Sequence, residues 1–381
     1  MKNCGIIVEY NPFHSGHKFH IESAKKSADG IIAVMSGSFV QRGEPALLNK
    51  FIRAKTAIAG GADLVIELPF CFSCAPAQFF AEGGVRLIAA TGIAHSICFG
   101  SECGDIDLLK NAGNSENDIK QYLNKGMSYP AACAAASESP LSEPNDILGA
   151  EYLRAISLYA PNLNPITVKR TDGGYHSEKA ENGFASATAI RKEGIKNSQE
   201  FIPAEVFEIL EKAVSEENYT DISLLDNLLL GKLRSGEDMS KCAYVSEGLE
   251  NRFYDASFSS LSIKDLISNV KTKRYTYARL MRIAACYSVG LTDNDLTEFV
   301  KEGPQYIRIL AANEKGKQML SDMKKRASLP IITTPSSYKK LSPLAQKMFE
   351  FDCRATDIAA LSIKNPALRE GRQDFKKLSI F

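Results

Sequence analysis

Two of the five histidines in this chain stand three residues apart, in the tetrad His14-Ser15-Gly16-His17. An apolar run at residues 4–8 precedes the tetrad and predicts a buried strand, and a helix is expected at about residues 18–26. The tetrad would then lie at the start of a helix, where free backbone N–H groups attract anions. Gly16 lets the backbone approach a ligand closely, so both imidazoles can reach one phosphate. Such donors suit adenylate transfer, in which charge builds on a phosphoryl group as pyrophosphate leaves.

Two other interpretations of the tetrad are less consistent with the sequence. A pair of ordinary surface histidines in a turn is disfavoured, because two of only five histidines directly follow an N-terminal strand. A zinc site would need Cys or carboxylate partners at ligand spacing, and none is evident near the tetrad. A strand, an HxGH tetrad and a helix in this order resemble the signature of the HIGH-type nucleotidyltransferase superfamily, which includes class I tRNA synthetases and adenylyltransferases of coenzyme biosynthesis.

The bulk composition sets limits on the class of protein. A chain of 381 residues predicts two domains. Its net charge of +1 does not by itself indicate a polyanionic partner such as a nucleic acid, but it is compatible with a basic patch on one face. The nine cysteines are scattered, so we expect reduced thiols in a cytoplasmic protein, and packing is favoured over zinc for Cys71-Phe72-Ser73-Cys74. No apolar run approaches about 18 residues, and there is no signal-peptide pattern, so no membrane span or export is predicted.

Strand-like and helix-like segments alternate over the first 200 residues. Further strands are predicted at residues 30–35, 63–69, 96–99 and 166–170, with helices at 50–59, 77–91, 105–123, 129–137 and from 144. This order predicts an α/β fold, a doubly wound parallel sheet of Rossmann-like type. Ligands of such sheets bind beyond the carboxyl ends of the strands. The tetrad, the loop at 36–45 and Gly100-Ser101-Glu102 all follow strands, and we expect them to form one crevice.

Three further segments carry polar side chains at suitable positions. Asn145 stands near a helix start and is either a cap or a ligand contact, and Arg170 ends a strand as either a phosphate contact or a solvated residue. In Ser186-Ala187-Thr188-Ala189-Ile190-Arg191, two hydroxyls at an expected helix start precede a basic residue, which suits triphosphate oxygens. Ser and Thr also cap helices in general. The segment resembles the second, Ser/Thr-plus-basic motif of the HIGH superfamily.

The sequence after residue 200 has a different character. Helical apolar spacing recurs at 207–213, 221–233, 261–270, 279–289, 296–300, 305–312 and 317–325. We therefore predict a catalytic domain at 1–200 and a mainly helical domain at 201–381. Basic residues alternate with tyrosines in one stretch of it, a pattern typical of RNA binding but also of a solvated helix face. The candidates are Lys271, Lys273, Arg274, Tyr275, Tyr277, Arg279 and Arg282.

The chain as a whole resembles one bacterial family, the tRNA(Met) cytidine acetate ligases. The resemblance rests on residues 5–17, 35–45, 63–69, 99–102, 145–152, 186–191, 246–252 and 273–279. It implies that acetate attacks the α-phosphate of ATP to give acetyl-adenylate and pyrophosphate. The exocyclic amine of the wobble cytidine in elongator tRNA(Met) then takes the acetyl group, which gives 4-acetylcytidine and AMP. No covalent enzyme intermediate and no partner protein are required.

The resemblance also implies where ATP binds. The corresponding positions are Ile7, Val8, Glu9, Tyr10, Asn11, Pro12, Phe13, His14, Ser15, Gly16, His17, Lys18, Phe19, His20, Gly100, Asn145 and Arg170. As catalytic residues we expect His14 and His17 on the transferring phosphoryl group, with Ser186, Thr188 and Arg191 on pyrophosphate oxygens. Mg²⁺ would arrive with ATP, held by phosphates and water. No resident metal site is predicted, and the sequence does not identify a general base for the amine.

Two alternative functions remain open from the sequence. A small-molecule adenylyltransferase of coenzyme biosynthesis would explain the tetrad and the Ser186–Arg191 segment, but not a long helical domain with a basic, tyrosine-containing stretch. A non-catalytic RNA-binding protein that keeps a nucleotide-binding fold would not need His14, His17 and Arg191 intact. Exchange of pyrophosphate into ATP, measured with and without acetate, separates all three.

Overall fold

Seven strands form one sheet in the computed structural model, which describes residues 1–112, 141, 143–170 and 185–376. The order across the sheet is β5-β4-β1-β2-β3-β6-β7. Strands β1 to β5 pair in parallel, β6 is antiparallel to β3, and β7 is parallel to β6. The strands are β1 (Asn3–Val8), β2 (Gly30–Ser36), β3 (Leu64–Leu68), β4 (Ala94–Ser101), β5 (Asn164–Lys169), β6 (Ile307–Ala312) and β7 (Ile331–Ile332). The predicted doubly wound parallel sheet is confirmed.

Helices connect the parallel strands and make up most of the chain after residue 200. Those before it are α1 (Ser15–Lys25), α2 (Lys50–Ala59), α3 (Phe70–Ser73), α4 (Ala77–Ala90), α5 (Ile106–Ala112), α6 (Pro144–Tyr159) and α7 (Ala187–Glu193). Those after it are α8 (Ala204–Ser215), α9 (Asp226–Arg234), α10 (Leu249–Ser259), α11 (Ile263–Val270), α12 (Tyr277–Val289), α13 (Asp293–Glu302), α14 (Glu314–Arg326), α15 (Pro343–Ala360) and α16 (Gln373–Lys376). The predicted helix at 129–137 and the end of the one at 105–123 lie outside the described residues.

Both faces of the sheet are covered, which is why its central strands are continuous apolar runs. Every residue of β2 is buried. Ile32 and Val34 face a core that includes residues of α4, α6, α12 and α15. Ile31 and Ala33, on the other face, pack with residues of α1, α2 and α8. The two-residue side-chain period of the strand thus divides its apolar residues between two cores.

The helix predicted at residues 305–312 is wrong, because Ile307–Ala312 form strand β6. Its register places Leu64 opposite Ala312 and Glu67 opposite Arg308. All six residues are buried, and periodicity alone cannot separate such a short, fully buried run from a helix. The strand joins the C-terminal part of the chain to the sheet, and one core contains residues from both sides of position 200. The division into two domains stays a prediction.

Four charged side chains, each at most 3% exposed, form a cluster next to the paired strands β3 and β6. Lys50 Nζ lies 2.6 Å from Glu67 Oε1 and 2.7 Å from Asp374 Oδ1. Arg308 completes the cluster through Nη1, 3.0 Å from Glu67 Oε2, and Nη2, 2.6 Å from Asp374 Oδ1. The cluster ties α2, β3, β6 and α16 together.

A neighbouring carboxyl, Asp352, should make stability depend on pH. It accepts hydrogen bonds from the Phe70 N–H (2.7 Å) and the Tyr306 hydroxyl (2.5 Å). Burial, reinforced by the charge of Glu67, raises the pKa of Asp352 to about 7. A raised pKa adds stability that is complete below the unfolded pKa and disappears as pH rises through the folded one. We expect wild type to lose about 1–3 kcal/mol relative to Asp352→Asn between pH 5 and pH 8.

Denaturant unfolding of both proteins at several pH values tests this. The Asn amide can still accept from the Phe70 N–H, so the change removes the titration with little change of shape. Identical pH dependence of the unfolding free energy in the two proteins would contradict the assignment.

Candidate functional site

The tetrad forms the first turn of α1, and each of its imidazoles is held by the backbone. His14 Nδ1 accepts from the Gly16 N–H at 3.1 Å, and His17 Nδ1 accepts from the His14 N–H at 3.2 Å. The ring centroids are 3.7 Å apart. Because both Nδ1 atoms are acceptors, each neutral ring carries its proton on Nε2. Both rings line one cavity.

The His17 imidazole is an uncharged donor. Burial lowers the pKa of His17 well below its usual value, and the nearby His14, Arg170 and His20 lower it further. His20 lines the same cavity, and burial together with Arg170 lowers its pKa to about 4. Its Nε2 is buried and has no hydrogen-bond partner among the described residues. Neutral donors can bind an anion in the buried cavity without the desolvation cost of a full charge.

The second predicted motif meets the tetrad at the start of α7. Ser186 is the N-cap of this helix, and its side chain accepts from the Ala189 N–H at 3.1 Å. Arg191 Nη1 donates to the Asn11 carbonyl at 2.6 Å, and Nη2 donates to Thr188 Oγ1 at 3.2 Å. Ser186, Thr188 and Arg191 all line the cavity. The two sequence motifs thus face one space, although Ser186 also has the ordinary capping role.

A third side of the cavity is built by the ends of β4 and β5 and the start of α6. An added Cβ on Gly100 would lie 3.4 Å from the Arg170 side chain, an ordinary van der Waals contact, so Gly100 and Arg170 are neighbours in this wall. Asn145 Nδ2 donates to Glu102 Oε1 at 2.5 Å. The N-cap of α6 is Glu143, so Asn145 does not cap the helix and presents its side chain to the cavity instead.

Most but not all predicted ATP positions reach the cavity. The lining includes Ile7, Val8, Glu9, Tyr10, Asn11, His14, Gly16, His17, Phe19, His20, Gly100, Asn145 and Arg170. Pro12, Phe13, Ser15 and Lys18 are not among the described lining residues. Phe13 is fully buried below His17, with ring centroids 5.5 Å apart, and Lys18 pairs with Glu205 at 2.5 Å. Phe13 thus packs against a tetrad ring without lining the cavity, and Lys18 forms an ion pair away from it.

The sequence did not single out several other lining residues. Gln41, Arg42 and Glu44 come from the loop after β2, which was expected near the crevice but gave no candidate. Phe80, Leu148 and Tyr152 form an apolar wall. They stand on the buried faces of α4 and α6, so their spacing is that of core residues. No local signal distinguishes them from the core.

Comparison with known proteins agrees with this geometry. A family model for the HIGH Nucleotidyl Transferase matches residues 1–374. A tRNA(Met) cytidine acetate ligase of Acetivibrio thermocellus is 38% identical over 98% of both chains, and one of Thermoanaerobacter sp. is 40% identical over 96% of both. The chain belongs to the tRNA(Met) cytidine acetate ligase family of HIGH nucleotidyl transferases. The resemblance seen in the sequence is confirmed.

The fold of this family member matches a solved relative over its whole length. The crystal structure of Thermotoga maritima TmcAL bound with alpha-thio ATP is 34% identical, with a TM-score of 0.93, and the match covers 100% of this chain and 99% of that one. Its apo form gives a TM-score of 0.94. No described helix is long and apolar enough to cross a membrane.

The predicted RNA-binding stretch is partly exposed and partly committed to internal contacts. Lys271, Lys273 and Tyr277 are exposed. Arg274, also exposed, pairs with Glu247 at 2.5 Å. The Tyr275 side chain is buried and its hydroxyl donates to Glu247 at 2.9 Å, and its predicted stacking on RNA bases stays a prediction.

The remaining candidates connect this stretch to the cavity. Arg279 Nη2 donates to Ser246 Oγ at 2.9 Å, and Arg282 Nη1 donates to the Gln41 carbonyl at 3.2 Å. Gly43 has a φ of 86°, and an added Cβ there would lie 2.4 Å from the Arg282 nitrogen. Helix α12 therefore packs directly on the loop that lines one side of the cavity.

Proposed function

We propose that this chain is an ATP-dependent ligase that activates acetate as acetyl-adenylate and transfers the acetyl group to the wobble cytidine of elongator tRNA(Met). The observation that carries the proposal is one cavity in which both tetrad imidazoles and Arg191 converge, in a chain of this family. The solved relative was crystallised with an ATP analogue, which supports ATP as the nucleotide.

In the first step, an acetate oxygen attacks the α-phosphorus and pyrophosphate leaves. The Nε2–H groups of His14 and His17 donate to the non-bridging α-phosphate oxygens, whose charge grows in the transition state. Arg191 and Thr188, which are already bonded to each other, hold the departing pyrophosphate. These donors are in place before ATP binds, so little reorganisation is needed during the reaction.

The adenosine would lie on the side of the cavity formed by Gly100, Asn145 and Arg170. Because Asn145 Nδ2 is bonded to Glu102, its Oδ1 is the atom left to accept from the nucleotide. The buried Nε2 of His20 is a second acceptor on the same cavity. Two acceptors suit the adenine amino group or the ribose hydroxyls.

Mg²⁺, acetate and a cytoplasmic location belong to the same proposal. Within the described part of the chain, no group of three or more His, Cys, Asp or Glu residues is arranged to hold a metal. An Mg²⁺ ion would therefore be bound by the triphosphate and water, as hard oxygen ligands allow. A cytoplasmic location follows from the proposed substrates, ATP and tRNA, and no partner protein is needed for either step.

Exchange of labelled pyrophosphate into ATP tests the activated acid. We expect exchange only when acetate is present, followed by release of AMP and formation of 4-acetylcytidine on addition of tRNA(Met). Exchange that ignores acetate would instead support a small-molecule adenylyltransferase. Absence of exchange under all conditions would support a non-catalytic RNA-binding protein.

The exposed lysines beside α12 should contribute to tRNA binding through phosphate contacts. We expect the double variant Lys271→Ala and Lys273→Ala to reduce the slope of log affinity against log salt by about 1–2, because each phosphate contact releases a counterion. Filter binding of tRNA(Met) at several salt concentrations measures the slope. Lys26→Ala is the control, since this exposed lysine ends α1 on the opposite face of the sheet. An unchanged slope in the double variant would remove these lysines from the interface.

A further inference from the structure

The second step of the proposed reaction needs a proton acceptor. The cytidine amine forms a C–N bond to the acetyl carbon and must lose a proton as AMP leaves. The tetrad histidines are unsuited to this role, because each Nδ1 already accepts a backbone N–H and each Nε2 carries the proton. The Nε2 of His20, which has no hydrogen-bond partner within the described part of the chain, lies by Arg170, on the adenosine side of the cavity. A base must therefore come from another part of the lining.

Glu9 is a carboxyl group in the cavity directly beyond the end of β1. Its Oε1 accepts from the Gln41 N–H at 2.7 Å, which fixes the side chain towards the loop after β2. Arg53 Nη1 donates to the main-chain carbonyl of the same residue at 2.7 Å. The position of Glu9 is thus set by two elements outside its own strand, and the cavity that it lines also has the apolar wall of Phe80, Leu148 and Tyr152.

The side of the cavity on which Glu9 lies is the side nearest the expected RNA surface. Strand β1 has β4 on one side and β2 on the other. The nucleotide residues Gly100 and Arg170 belong to the β4 side, whereas Gln41, Arg42 and Glu44 belong to the β2 side. Helix α12 packs on the β2 side through Gly43 and Arg282. Glu9, at the end of β1, therefore lies between the nucleotide side of the cavity and the side on which α12 packs, and an RNA base that enters from α12 would pass next to it.

We propose that Glu9 is the general base of acetyl transfer, a role that rests on the proposed function. The amine nitrogen of the cytidine attacks the acetyl carbonyl carbon, the bond from that carbon to the phosphate oxygen breaks, and AMP leaves. The Glu9 carboxylate takes the proton that the nitrogen loses and later releases it to solvent. Its neighbours modulate this carboxylate: burial raises the pKa of Glu9, while the Gln41 N–H and the charges of Arg191, Arg53 and Arg42 oppose that rise. A pKa above the usual carboxylate value is what a base working near neutral pH needs.

The test separates the two half-reactions in the full-length protein. Acetate-dependent pyrophosphate exchange reports adenylate formation, and single-turnover transfer of labelled acetyl from the enzyme-bound adenylate to tRNA(Met) reports the second step. For Glu9→Gln we expect transfer to slow about a hundredfold, and exchange, in which Glu9 is only one of the residues lining the ATP cavity, to slow at most about tenfold. The amide oxygen of Gln can still accept from the Gln41 N–H, so the fold of the loop is preserved.

Three comparisons complete the experiment. Glu22→Gln, an exposed carboxylate on α1, is the control and should match wild type in both assays. Wild-type transfer should rise with pH through one ionisation that Glu9→Gln lacks. The proposal is overturned if exchange and transfer fall together in Glu9→Gln, or if transfer persists in Glu9→Gln. Loss of transfer in Glu44→Gln would then assign the proton to Glu44, the other carboxylate among the described lining residues. Failure of the proposed function itself would appear differently, as wild-type protein without acetate-dependent exchange or without transfer.

Discussion

Replacing His17 with alanine is expected to slow acetyl-adenylate formation about a thousandfold while leaving the affinity for tRNA(Met) unchanged. The Nε2–H of His17 is one of two tetrad donors that meet the α-phosphate, and loss of one preorganised donor to a developing anion costs about 10²–10³ in rate. His14 cannot take over, because its ring is held by the Gly16 N–H. Acetate-dependent pyrophosphate exchange measures the loss, and filter binding measures the tRNA affinity.

The experiment needs a measure of folding, because His17 also accepts from the His14 N–H at the start of α1. Loss of such a capping bond costs about 1 kcal/mol, so thermal unfolding should show a small shift and a cooperative transition. His95→Ala is the matched control, since that histidine is exposed and lies at the start of β4, at the opposite end from the cavity. Wild-type exchange by a folded His17→Ala protein would show that the tetrad does not act on the phosphate.

The amino-acid sequence was sufficient to predict those parts of the fold and the site that depend on residues close together in the chain. The HxGH tetrad, the Ser186 cap and the apolar runs of the first strands each depend on residues within a few positions of one another. The rule that ligands bind beyond parallel strand ends then brought separate segments to one crevice. In the structure His14, Gln41 and Gly100, one residue from each of these segments, line the same cavity.

Features that depend on residues far apart in the sequence could not be predicted from local patterns. Strand β6 is a strand because β3 offers it an edge to pair with, and the buried Tyr275 bonds through its hydroxyl to Glu247, which lies 28 positions earlier in the chain. Glu9 is a residue of the tetrad's own segment, yet its orientation is set by Gln41 and Arg53 from two later elements. Tertiary contacts of this kind leave no spacing pattern in the chain.

The second large effect concerns the buried charge cluster. We expect Arg308→Met to lower the free energy of unfolding by about 3–5 kcal/mol, because it leaves Glu67 and Asp374 buried with only Lys50 as a cation. The loss of a charge is the cause, since methionine fills much of the same volume without strain. Denaturant unfolding at neutral pH measures the change.

An exposed ion pair provides the matched control. Lys317 pairs with Glu314 at 2.7 Å on the surface of α14, and Lys317→Met should change stability by less than about 1 kcal/mol because solvent screens the pair. A similar small loss for Arg308→Met would show that the buried cluster contributes little.

A second variant distinguishes uncompensated charge from lost packing. If the deficit of Arg308→Met arises from an unpaired carboxylate, then neutralising Glu67 in the same protein, as Arg308→Met with Glu67→Gln, should recover a large part of it. The two residues are in contact, so their effects are not additive, and the size of the recovery is their coupling energy. Loss of packing alone would instead make the double variant less stable than either single one. Because the cluster joins α16 to β3 and β6, recovery would show that electrostatic balance, rather than shape, fastens the C-terminal part of the chain to the catalytic sheet.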